Sequence, residues 1–168
     1  MNTPNSQQLS GEEFKAIVRY ETRNEPFKAE KVTIKEAIDK NGIECWSIIA
    51  FQEVVNEQTG SLELYGIHLY ISKDLSVPPR KIGGALQPPS ALINTAIYFK
   101  VLDKIPDPDQ DLDTQELHLS LDGLLVDFWE VDNRRVQGYF YFSSLDIYKK
   151  PLHIVGHFNI LNKESHAI

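Results

Sequence analysis

Val136-Gln137-Gly138-Tyr139-Phe140-Tyr141-Phe142 alternates apolar with polar or phenolic side chains, and glycine takes one apolar place. In an extended chain successive side chains point to opposite faces. Val136, Gly138, Phe140 and Phe142 then share one face, and Gln137, Tyr139 and Tyr141 the other. Similar runs at 117–121, 124–131 and 152–160 surround it, separated by short turns. Their β-branched and aromatic content predicts strands.

Outward from this block, 12–20, 31–38, 43–55, 62–72 and 91–102 also read as strands, and 43–55 with 62–72 as a hairpin. Turn signals recur at the spacing of an all-β protein. The expected fold is a predominantly antiparallel β-sandwich of about eight or nine strands, with a closed β-barrel as the alternative. Unequal strand lengths and two long loops interrupt an up-and-down meander and favour the sandwich. A length of 168 residues suits a polar N-terminal tail (1–10) and a single β-sandwich domain (11–168) with long loops at 73–90 and 103–113. Pro78-Pro79, Gly83-Gly84 and Pro88-Pro89 argue against regular structure in the first loop.

One local echo stands out. Val136-Gln137-Gly138-Tyr139-Phe140 and Ile154-Val155-Gly156-His157-Phe158 both place glycine two residues before phenylalanine. A glycine inside a strand leaves room for an aromatic ring from a facing strand. The segment from Gly123-Leu124 to Asp132, with Gly138, Phe140, Phe142, Gly156 and Phe158, resembles the ending of some small bacterial β-sandwich domains of unknown function. That resemblance implies a fold and brings no activity.

Composition narrows the function. Lys and Arg number 17 against 24 Asp and Glu, a formal charge of −7. An acidic chain without basic clusters beyond pairs is a poor nucleic-acid ligand, because such affinity rests on neutralised phosphates. A single cysteine, Cys45, rules out internal disulfides. Its apolar setting suggests a buried, inert thiol. No run is long and apolar enough for a membrane span, and 1–10 does not read as a secretory signal, so a cytoplasmic location is the default expectation.

Chemistry-bearing constellations are sparse. Asp107, Asp109, Asp111 and Asp113 place carboxylates at alternate positions, the hard oxygen donors that calcium prefers. Leu112 and His118 stand where an EF-hand needs glycine and a bidentate acid, so only a looser calcium loop or a plain acidic connector remains; no other cofactor is implied. His153 and His157 share a strand face but lie roughly 13 Å apart at about 3.3 Å per residue, too far for one metal. No nucleophile elbow is present. A carboxylate-based hydrolase would need two acids facing each other across a cleft. Arg80-Lys81 before Gly83-Gly84 offers two cations for binding but lacks phosphate-loop spacing.

Trp129, Tyr139 and Tyr141 are the aromatic candidates for recognition. A three-residue turn at 133–135 sets Trp129 opposite Tyr139, and a turn one residue shorter or longer sets Phe128 there. The reading that follows is a non-catalytic interaction module. It would recognise a protein partner, or its own copy, through the 73–90 loop (Arg80, Lys81) and the aromatic hairpin. A small-ligand or carbohydrate binder, with or without calcium, is the alternative, and a hydrolase comes third.

Overall fold

The computed structural model describes residues 11–38, 42, 44–73, 80–83, 95–102, 115–131 and 135–168, with backbone alone at 80, 115 and 127–131. Its strands in chain order are β1 Glu13–Arg19, β2 Asn24–Lys28, β3 Lys31–Ile38, β4 Glu44–Val55, β5 Leu62–Ser72, β6 Arg80–Ile82, β7 Thr95–Val101, β8 Gln115–Leu119, β9 Asp122–Val131, β10 Arg135–Leu145, β11 Pro151–Leu161 and β12 Ser165–Ala167. Two six-stranded sheets pack face to face: sheet A in the order β2-β1-β11-β10-β9-β6, and sheet B in the order β12-β3-β4-β5-β7-β8. Neighbours are antiparallel throughout, and no barrel closes. The sandwich reading therefore holds. Among the described residues there is no helix, and so none long and apolar enough to cross a membrane.

Two-residue alternation builds the interior. Phe14, Ala16 and Val18 of β1, Val136, Phe140 and Phe142 of β10, and Leu152, Ile154, Phe158 and Ile160 of β11 all point inward from sheet A. Sheet B answers with Val32, Ile34, Trp46, Ile48, Ala50, Ile67, Leu69, Ile71, Ala96 and Tyr98. Burying each large apolar side chain contributes about 1.5–3 kcal/mol, which makes this shared layer the main source of stability. Phe14 ties the sheet A aromatics together: its ring lies 5.6 Å from Phe158, 5.5 Å from Phe140 and 6.1 Å from Phe27.

The repeated glycines have a reciprocal role. In the β10–β11 register Gly138 lies opposite Phe158, and Phe140 opposite Gly156. Each strand's ring lies over the other strand's bare Cα.

Three short strands escape the sequence reading. Arg80–Ile82 lies in the stretch whose proline and glycine pairs argued against regular structure, yet it pairs with β9 at the edge of sheet A. The buried Ile82 anchors it, and three residues are too few to display an alternation. The rest of the 73–90 loop, at 74–79 and 84–90, lies outside the described residues, as do the 1–10 tail and the 103–113 loop. Strand β2 carries Pro26, which an edge position tolerates because its missing N–H removes no ladder bond. The third is β12, which extends sheet B beside β3.

The β9–β10 hairpin corrects the expected register. Arg135 pairs with Val131 and Gln137 with Trp129, but Tyr139 pairs with Val126. Two residues of β9 (127 and 128) thus oppose Gly138 alone. Neither Trp129 nor Phe128 faces Tyr139 because Arg135 already pairs with Val131, a register shifted by two from that of a 133–135 turn, and the bulge shifts it by one more.

Two predictions arise here. In Gly156→Ala the new Cβ would lie 2.5 Å from Phe140 Cζ and 2.6 Å from the Lys15 carbonyl oxygen, and the backbone atom has nowhere to retreat. The expected loss in urea unfolding is about 3 kcal/mol, the upper end for over-packing. Gly138→Ala meets only side chains, at 3.0 Å and beyond, and costs less; equal losses would refute the distinction.

The second concerns His68, on the outward side of sheet B, where its Nε2 shares a hydrogen bond with Ser47 Oγ at 2.8 Å. Burial lowers its pKa from 6.5 to about 4. Between those values the unfolded chain binds the extra proton, so this stabilising contribution is complete above the unfolded pKa and is lost as pH falls toward the folded one. Moving from neutral pH to about pH 5 should cost on the order of 1–2 kcal/mol, and His68→Gln should flatten that slope. An unchanged slope in the variant would exclude His68 as its cause.

Candidate recognition surface

The outward side of sheet A follows from the same alternation. Pro26, Ile17, Val155, Tyr141 and Leu124 lie in register across β2, β1, β11, β10 and β9, with Lys81 of β6 opposite Leu124. The neighbouring row runs Lys28, Lys15, His157, Tyr139, Val126. Tyr139 is 56% exposed, Ile17 42%, Leu124 41% and Val155 39%. Between the rows a shallow groove of about 450 Å³ has Ile17, Pro26, Val155 and Tyr139 on its walls and Lys15 and Lys28 among its cations.

Histidines hold the tyrosines in place. Tyr141 stacks on His153 with centroids 6.0 Å apart, and its hydroxyl and His153 Nδ1 share a 3.0 Å hydrogen bond. The Tyr139 ring lies 5.8 Å from that of His157. His157 in turn contacts Glu13 at 2.9 Å, and Lys15 contacts the same carboxylate at 3.1 Å. Those two partners, His157 first, hold the Glu13 carboxyl below its usual range.

Charge on this side runs against the chain as a whole. Register places Lys15, Arg19, Lys28, Lys81 and Arg135 here against Glu13 and Asp122 among the described residues. No basic run in the sequence announces such a patch; the sheet builds it by gathering cations from four separate strands. Arg19, Lys28 and Lys81 have no ion-pair partner among the described residues.

Of the binding residues named from sequence, Tyr139, Tyr141 and Lys81 therefore lie on one side of one sheet. Trp129 pairs with Gln137, and Arg80 with Leu125; the side chains of both fall outside the described residues. Asp107, Asp109, Asp111 and Asp113 also fall outside them. Among the described residues no group of three or more His, Cys, Asp or Glu is placed to hold a metal ion. Ile17, Val155, Lys15 and Lys28 were missed, although the alternation of 12–20 already put Lys15 and Ile17 opposite Phe14 and Ala16.

The outward side of sheet B is apolar too: its two phenylalanines cover one another, while Leu117, Val55 and Leu62 are exposed. Phe51 and Phe99 meet edge to face at 6.0 Å, and Phe99 lies over Gly66.

A second feature lies at one end of the sandwich, where the inward row of sheet B becomes charged. Tyr65, Lys100 and Glu116 are in register there, next to the Tyr98 and His118 row. The Lys100 ammonium lies 4.7 Å from the Tyr65 ring centroid, 5.6 Å from that of Tyr20 and 6.0 Å from that of Tyr98. Glu25 of sheet A approaches it at 3.5 Å. Burial opposes the charge on Lys100, yet Tyr20 and Glu25 outweigh burial and keep the ammonium protonated. Burial also pushes the Tyr20, Tyr65 and Tyr98 hydroxyls up, so all three stay neutral.

His118 is buried, sharing a 2.7 Å hydrogen bond through Nδ1 with the Leu145 carbonyl of the opposite sheet. A cleft of about 350 Å³ opens beside it, with Glu21, Glu116 and Asp146 on its walls. Each carboxylate is already engaged: Glu21 by Lys150, Glu116 by His118, and Asp146 by the Tyr148 and Lys150 amides of its own turn. The arrangement joins the sheets, and among the described residues each carboxylate lining the cleft has a partner.

Comparison with protein-family models, with curated proteins and with solved structures finds no match to this chain.

Lys100→Ala should leave Glu25 Oε2, which is shut from water and without a hydrogen-bond partner, without its ammonium, while Oε1 keeps the Arg23 guanidinium at 3.1 Å. The expected loss in urea unfolding is roughly 2–4 kcal/mol, largely recovered in Lys100→Met combined with Glu25→Leu. A single variant as stable as the parent would show that the pair does not hold the sheets together.

Proposed function

We propose that this protein is a non-catalytic recognition module that takes a protein partner on the outward side of sheet A. The observation that carries the reading is the exposed band Ile17–Val155–Tyr141–Leu124, continued by Tyr139 and bordered by cations on an acidic chain. Contiguous apolar surface of this kind marks interaction sites, and tyrosine is enriched where partners dock. Unpaired lysines and arginine favour a partner surface of opposite charge. The described part of the 73–90 loop supports the same side, because β6 brings Lys81 beside Leu124.

A photo-cross-linking residue at position 139 should yield a discrete adduct in extract of the native cells. The same residue at 148, exposed on the β10–β11 turn, should not. Ile17→Asp combined with Val155→Asp should abolish the adduct while leaving the melting temperature within a few degrees. Equal labelling at both positions, or labelling indifferent to the aspartates, would contradict the proposal.

A further inference from the structure

Resting on the reading above, we propose that the occupant of the sheet A groove is the acidic stretch 103–113 of a second copy of this chain. That stretch, Asp103-Lys104-Ile105-Pro106-Asp107-Pro108-Asp109-Gln110-Asp111-Leu112-Asp113, carries five aspartates and one lysine, with Ile105 and Leu112 as apolar side chains. The groove side carries five cations and two carboxylates around an apolar band. Five less two leaves three positive charges, and one less five leaves four negative charges. The two surfaces complement each other in sign, and each offers apolar residues among its charges.

Placement in the fold makes the occupant a second copy. The stretch joins β7 to β8, whose ends Val101 and Gln115 pair in sheet B. The groove opens on the side of sheet A that faces away from sheet B. Within one molecule the stretch would start and finish beyond the other sheet; between copies that constraint disappears.

Dimensions agree as well. Seven residues such as 107–113, laid extended, span about 23 Å, and the four inter-strand gaps from β2 to β9 span about 19 Å. Leu112 would enter between Ile17, Pro26, Val155 and Tyr139, while the aspartates meet Lys15, Lys28, Arg19 and Lys81. Two identical cationic groove sides pressed together would repel. The contact therefore joins groove to acidic stretch, and it closes either as a two-fold pair in which each copy gives and receives or, head to tail, as a ring.

The experiment is sedimentation of the full chain over a wide concentration range at low and at raised salt. The parent should self-associate, and salt should weaken the association. Lys15→Glu with Lys28→Glu, and separately Asp109→Lys with Asp111→Lys, should each weaken it at least about tenfold, the scale of one lost charged contact. Mixing the two reversed proteins should restore association, because the reversed stretch then meets the reversed groove.

Melting temperatures within a few degrees of the parent exclude misfolding, since Lys15 and Lys28 are exposed. A parent that stays monomeric throughout, or pairs indifferent to either reversal, or a mixture that fails to reassociate, would overturn the proposal. So would a single-stranded oligonucleotide that displaces a labelled 103–114 peptide from the Asp109→Lys, Asp111→Lys chain more effectively than the unlabelled peptide does. If association fails while the adduct at position 139 survives, the second copy is wrong and the recognition surface stands.

Discussion

Between β10 and β11, each strand's glycine receives the other strand's phenylalanine, and this exchange fixes both sides of sheet A at once. Phe158 over Gly138 and Phe140 over Gly156 fit only in the observed register. A slip of one residue would turn Tyr139, Tyr141, His153 and His157 into the interior and Phe140, Phe142 and Phe158 out to water. The cost would be several buried aromatic side chains, each contributing about 1.5–3 kcal/mol. The outward band of Ile17, Val155, Tyr141 and Leu124 is thus a consequence of inward packing. Strand β1 joins the same arrangement, because Ala16 pairs with Gly156 and leaves room for Phe140.

The opposite constraint acts at the sandwich end. There the inward side chains of sheet B change from Ile48 and Leu69 through Tyr98 to Lys100, and sheet A supplies Tyr20 and Glu25 to receive them. A buried ammonium is expensive unless aromatic faces and a carboxylate replace its water. Tyr65 donates to Glu63 at 2.8 Å, and Asn56 donates to the same carboxylate at 2.9 Å, so the network extends to the β4–β5 turn. Apolar packing is non-directional and lets two sheets slide. The Lys100–Glu25 contact and the His118–Leu145 hydrogen bond are directional and fix one sheet against the other.

What the sequence disclosed follows from the range over which each cause acts. The alternation of 136–142 and the echo of Gly138-x-Phe140 in Gly156-x-Phe158 are local, and they correctly announced strands, inward rings and an all-β sandwich. The β9–β10 pairing is already shifted by two from that of a 133–135 turn where Arg135 meets Val131, and it slips once more opposite Gly138, so the turn read from local composition gave the wrong partner for Tyr139. Strand β6 is held by one buried side chain, Ile82, within a stretch whose local composition points the other way. The buried Lys100 was legible in principle, since Ala96, Tyr98 and Lys100 share a phase. Its partners Tyr20, Glu25 and Tyr65 are far away in sequence. The cationic side was hidden for the same reason: Arg19, Lys28 and Lys81 become neighbours only when β1, β2 and β6 join one sheet.

Edges and sides of the two sheets also divide the possible modes of association. The outermost strands are short: β6 and β12 have three residues each, β2 and β8 five. Strand β2 adds Pro26 and Lys28, features that oppose strand addition from another chain. Association through backbone edges is therefore disfavoured, and contact through side chains on a sheet surface is what the architecture leaves. Of the two outward surfaces, both expose apolar side chains, but sheet A's sets Tyr139, Ile17, Leu124 and Val155 beside Arg19, Lys28 and Lys81, which have no ion-pair partner among the described residues. A chain of net charge −7 that collects positive charge on one side has, by the same arithmetic, an excess of negative charge elsewhere. Such segregation makes encounters between molecules orientation-dependent at low salt. The overall composition conceals this segregation, which arises only when separate strands join into sheets.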